Sequence, residues 1–208
     1  MQASRAFWLL VGLMWIVLLA SGWHVLLRHA LTPTEDGCVP EHWPAGSTLA
    51  LDAELPTLVL FAHRSCPCTR TTLQELDSIL TIAPGRARAL IVLLAPANAT
   101  GDRVGGDLEK RARALPGVQV ILDAPGREAR RFHVRASGHV VLYSPEGHSL
   151  FSGGITQARG HAGDSAGRRT VLGWLRQEPA ALRAALVFGC SLFDDESEMD
   201  EEVPSWKH

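Results

Sequence analysis

The feature that most narrows the fold is a junction. Residues 57–62, TLVLFA, form a continuous apolar run, and a few residues later the chain reaches Cys66-Pro67-Cys68, followed by Leu73, Leu76, Ile79 and Leu80 at helical spacing. A buried strand that hands over to an amphipathic helix is the first half of a parallel crossover unit. The two cysteines fall where the helix begins, and there unpaired backbone N–H groups and the helix dipole stabilise a thiolate. A second thiol within reach can resolve a mixed disulfide formed by the first. With Pro67 alone between them, a ring closed by Cys66 and Cys68 is tight, which implies an oxidising or isomerising pair.

The rest of the chain continues in the same style. Residues 89–94 make another unbroken apolar run, residues 107–115 a charged helix, residues 118–122 a third strand and residues 127–132 a short helix after the Asp-Ala-Pro-Gly turn. Residues 139–143 and 148–151 flank Ser-Pro-Glu-Gly, a turn sequence, and make a hairpin. A last helix is expected from about Asp164, as N-cap, to Gln177. The order βαβαβαββα joins parallel crossovers to a terminal antiparallel hairpin, so the fold class is α/β, a mixed sheet flanked by helices.

Ahead of this domain, residues 7–27 are apolar except for Ser21, Gly22 and His24, which is long enough at helical rise to cross a bilayer. Trp8 and Trp23 lie near its two ends, Arg5 precedes it, and Arg28 and His29 follow. Residues 1–30 are therefore expected to be a single-pass transmembrane signal anchor. The competing reading is a secretory signal cleaved near Ala20-Ser21-Gly22, against which the apolar run continues past Trp23. Both export the remaining chain, to a compartment where disulfides persist. Residues 31–47, rich in proline and glycine, read as a linker, residues 48–190 as the domain, and residues 191–208 as an acidic disordered tail with seven acids among residues 194–202.

The stretch LVLFAHRSCPCTRTTLQEL resembles the active-site segment of thioredoxin-like proteins tethered to bacterial membranes, with Phe61, Cys66, Arg70, Glu75 and Leu76 at matching positions. The family's nucleophile maps onto Cys66, but its second cysteine would fall at Thr69, so Cys68 is displaced by one. Further on, VILDAPGREARRFHVRASGHVVLYSPEG is similar to the family's strand, helix and hairpin, and the family's cis-proline position is occupied by Gly138. With Gly-Gly-Ile-Thr before Arg-Gly-His and a late Phe-Gly-Cys, the pattern is closest to the RedB group. The resemblance implies a thioredoxin-like fold and a thiol:disulfide oxidoreductase on the bacterial inner membrane, its domain on the periplasmic side, acting on exported protein or small-molecule thiols and disulfides. Cys66 and Cys68 are its catalytic residues, and no cofactor is implied.

Other readings stay open beside this one. His63, Cys66 and Cys68 offer an imidazole and two sulfurs, a donor set for copper or zinc in a metallochaperone. A non-catalytic scaffold is the third possibility, given Gly138. Arg70 can add positive potential near the thiolate, and Arg159 and His161, in a glycine-rich loop, approach Cys66 if the fold is thioredoxin-like. Cys38 and Cys190 could close a disulfide with each other, or Cys190 could act as a resolving thiol for Cys66 or a third sulfur ligand. Nucleic acid is excluded as a partner: the net charge is -2 and no Lys/Arg cluster is present. Hydrolase chemistry has no identifiable Ser-His-Asp or carboxylate-pair anchor.

Overall fold

The computed structural model describes residues 2–34, 37–64, 66–94, 106–179 and 182–193. The chain divides into two compact units, Met1–Thr32 and Pro33–His208. The first unit is one helix, α1 (Gln2–Leu31). Its span Phe7–Leu31 has a mean hydropathy of 2.1 and is long and apolar enough to cross a membrane, with its large apolar side chains exposed.

In the second unit the predicted junction is realised as β1 (Thr57–His63) running into α2 (Pro67–Ile82). The elements β2 (Arg88–Leu94), α3 (Asp107–Arg113), β3 (Val118–Asp123), α4 (Arg127–Arg131), β4 (His139–Tyr143), β5 (Ser149–Gly154), α5 (Ala166–Arg176) and β6 (Ala184–Ala185) follow. They form one six-stranded sheet in the order β3-β2-β1-β4-β5-β6. β1, β2 and β3 are parallel neighbours, β4 runs antiparallel to β1, β5 antiparallel to β4, and β6 parallel to β5.

β1 is central and covered on both faces, which is why its sequence is a continuous apolar run rather than an alternating one. Leu58, Leu60 and Ala62 pack with Leu73, Leu76 and Ile79 of α2, Leu108 of α3 and Val171 of α5. Val59 and Phe61 point the other way, into a second core with Ala129, Phe132, Tyr143 and Leu192. The carboxylate of Asp123 accepts from the backbone N–H groups of Glu128 and Ala129 at 3.1 and 3.0 Å, satisfying the orphan donors of α4.

Three local features differ from the sequence reading. Ser165, not Asp164, caps α5: its hydroxyl accepts from the Arg168 N–H at 3.1 Å, while Asp164 pairs with Arg169. Second, residues 37–47, whose composition suggests a free linker, are bonded to the domain. Tyr143 donates its hydroxyl to the Pro40 carbonyl at 2.7 Å, Trp43 donates its N–H to the Gly147 carbonyl at 2.8 Å, and the Trp43 ring sits edge-on to Phe132 and Tyr143. Aromatic contact area outweighs the irregular backbone there. Third, β6 is an extra edge strand of two residues, too short to leave a periodic signal. The acidic residues 194–208 lie outside the described residues.

Candidate functional site

Cys66 is the N-cap of α2, with extended backbone angles (φ -79°, ψ 116°), and Pro67 takes the first helical position, where its missing N–H is no loss. The turn is fixed by the Cys66 N–H donating to the His63 carbonyl at 3.2 Å and the Thr69 N–H donating to the Cys66 carbonyl at 3.1 Å. Cys66 is 3% exposed, whereas Cys68 and Cys190 are half-buried and Cys38 is exposed.

The Cys190 Sγ lies 2.7 Å from the Cys66 Sγ. The sequence left Cys190 open among three roles, and the structure brings it to Cys66 and not to Cys38. Burial on its own raises the Cys66 thiol. Hydrogen bonds from Cys190 and from the backbone around Cys68 and Thr69 outweigh burial and hold Cys66 below the ordinary thiol range. Its two neighbours go the other way. Burial, then the charge of Cys66, raises Cys68, and burial with the Cys66 hydrogen bond and charge pushes Cys190 up to about 12. Cys66 is therefore the most readily ionised of the three thiols.

The positive charge near these sulfurs is Arg159, which lowers both Cys68 and Cys190 against the dominant effect of burial. Its guanidinium donates to the Gly189 carbonyl and, at 3.1 Å, to the Thr34 hydroxyl. Arg70 is directed elsewhere: it forms an ion pair with Asp107 at 3.2 Å on an exposed surface, where solvent screens it. His161 turns back to the carbonyl of Arg159, with its Nδ1 at 2.8 Å. His63 takes part through its backbone, accepting from Cys66 and donating its N–H to the Ser137 hydroxyl at 2.9 Å. Among the described residues, no group of three or more His, Cys, Asp or Glu side chains is gathered as a metal site.

Gly138 has φ +90°, a left-handed conformation that glycine adopts without strain, and it donates its N–H to the Phe61 carbonyl at 2.8 Å. A side chain there would press on the Thr72 hydroxyl at 3.1 Å. Sequence reasoning did not find Ser137, whose hydroxyl meets that of Thr69 at 2.8 Å and whose N–H donates to the Cys190 carbonyl at 2.8 Å. It also missed Thr34, since a lone hydroxyl carries no pattern.

No family model matches the sequence, and no curated protein is significantly similar to it. Solved structures are similar in fold. A hypothetical protein from Sinorhizobium meliloti is 18% identical with a TM-score of 0.60, covering 76% of this chain and 97% of its own. An uncharacterized conserved protein from Geobacillus kaustophilus is 13% identical, also at 0.60, covering 77% and 95%. A thioredoxin-like protein solved in its oxidized form is 15% identical at 0.46, covering 72% and 97%. This chain shares its mixed, helix-flanked sheet with the first two. Its reaction has to be argued from the sulfurs themselves.

Proposed function

We propose that this chain is a thiol:disulfide oxidoreductase, tethered by α1 to the bacterial inner membrane with its domain on the periplasmic side, as in the RedB group it resembles. The observation that carries the reading is the Cys66 thiol at the N-cap of α2, held below the ordinary thiol range with two further thiols beside it. A thiolate is the attacking species in disulfide exchange, and a helix start supplies the electrostatic support it needs. Cys66 attacks an exported disulfide and forms a mixed disulfide with one of its sulfurs. A neighbouring thiol then displaces that sulfur; the Cys-Pro-Cys spacing offers Cys68 for the step, and the fold offers Cys190.

The test is reduction of a small disulfide by the full chain in detergent. Cys66→Ser lowers the rate to the uncatalysed background; an unchanged rate in that variant overturns the proposal.

A further inference from the structure

The two neighbouring sulfurs are not equivalent partners for Cys66. Cys68 lies two residues along, at the start of α2, and its thiol also interacts with that of Cys66, but a ring closed through Pro67 alone is tight. Cys190 arrives from across the chain with its sulfur already against that of Cys66. It is carried on a strap that the domain holds at several points. The Ser137 N–H donates to the Cys190 carbonyl and the Leu192 N–H to the Arg135 carbonyl, both at 2.8 Å, and Ala136 pairs with Ser191 as an antiparallel bridge. On the near side the Thr34 N–H donates to the Val187 carbonyl at 2.8 Å, and the Thr34 hydroxyl and the Arg159 guanidinium both donate to the Gly189 carbonyl. Gly189 is required where it stands, because a Cβ would run into the Ser137 carbonyl oxygen. Val187 and Leu192 anchor the strap as buried apolar side chains.

We infer that Cys190, docked as an antiparallel strand on residues 135–137, is the thiol that resolves the mixed disulfide on Cys66, and that Cys68 is not. This deepens the oxidoreductase reading above and rests on it. The Cys66 thiolate attacks one sulfur of a substrate disulfide, whose S–S bond breaks, and the other sulfur leaves as a thiolate and takes a proton from water. Cys190 gives its proton to solvent and attacks the Cys66 Sγ. The bond between Cys66 and the substrate breaks, the second substrate sulfur leaves as a thiolate, and a Cys66–Cys190 disulfide remains. Two electrons have passed from the protein pair to the substrate.

The order of events is built in. Cys190 is kept protonated by burial and, after that, by its bond to and the charge of Cys66. Both Cys66 contributions vanish once Cys66 is in a mixed disulfide while burial remains, so Cys190 gives up its proton more readily after the nucleophile has reacted than before.

The test uses the reduced full chain in detergent with oxidised glutathione, quenched by alkylation and mapped by peptide mass spectrometry. Wild type gives a Cys66–Cys190 disulfide. Cys190→Ser, and Cys190→Ala as a second variant of different polarity, accumulate glutathione on Cys66 at least about tenfold above wild type, while Cys68→Ser behaves as wild type. A Cys66–Cys68 disulfide in wild type, with the adduct accumulating in Cys68→Ser instead, overturns this inference and leaves the oxidoreductase reading standing. Absence of any glutathione on Cys66 in every variant overturns both.

Discussion

The backbone N–H of Ser137 donates to the carbonyl of Cys190 at 2.8 Å, across 53 residues of chain, and that bond sets the sulfur of Cys190 against Cys66. A residue two positions ahead of β4 thereby bears on the chemistry at the start of α2. The two ends of the site are linked again by the Ser137 hydroxyl, which meets Thr69 at 2.8 Å.

Cys190 lowers the Cys66 thiol by hydrogen bonding to it. Removing the donor with Cys190→Ala therefore raises the Cys66 pKa, and Cys190→Ser, which still donates, keeps it closer to wild type. Ultraviolet thiolate absorbance followed against pH reads the difference. The sign is fixed: a raised pKa means less thiolate at any pH below it, so exchange in the alanine variant sets in only at higher pH. Identical titrations in both variants would contradict the assignment.

Gly189→Ala forces the strap away from the Ser137 carbonyl. A displacement of about 1 Å in reacting groups can slow a positioned reaction by about 100-fold, and closure of the Cys66–Cys190 bond should fall on that scale. Formation of the mixed disulfide on Cys66 should persist, and single-turnover kinetics with mass detection separate the two steps.

Glu75, on α2, is buried and pairs with Arg168 of α5 at 2.9 Å, and it accepts from the Gly163 N–H at 2.7 Å. Arg168→Met leaves a buried carboxylate without its cation, a loss of about 3 kcal/mol or more. For a domain of this size that lowers the melting temperature by roughly 10 °C, measurable by circular dichroism.

How much was legible follows from which signals are local. β1 and α2 could be read because a continuous apolar strand and a helical apolar stripe each repeat within a few residues, and Gly138 could be placed because the hairpin after it has a turn sequence. The strap could not. Among the described residues it pairs with the fold through a single bridge, Ala136 with Ser191, and Cys190 meets Cys66 across 124 positions, a contact set by tertiary hydrogen bonds and not by any periodicity. Proline and glycine in residues 31–47 suggest a free linker, yet Trp43 finds an aromatic seat on Phe132 and Tyr143 that composition does not reveal. Arg70 matched the expected position and still faces solvent, because Asp107 of α3 supplies a nearer partner.

The tether is tested apart from the chemistry. α1 is apolar over Phe7–Leu31, so the full-length chain should stay with the membrane fraction after alkaline extraction. Its appearance at full mass in the soluble fraction would contradict the tether.

The most direct measurement is a glutathione redox titration of the full chain, with alkylation and peptide mapping at each step. The expected result is one reversible two-electron transition in which Cys66 passes from free thiol to disulfide. A Cys66 that remains alkylatable across the whole range of potentials would contradict thiol:disulfide exchange as the function of this site.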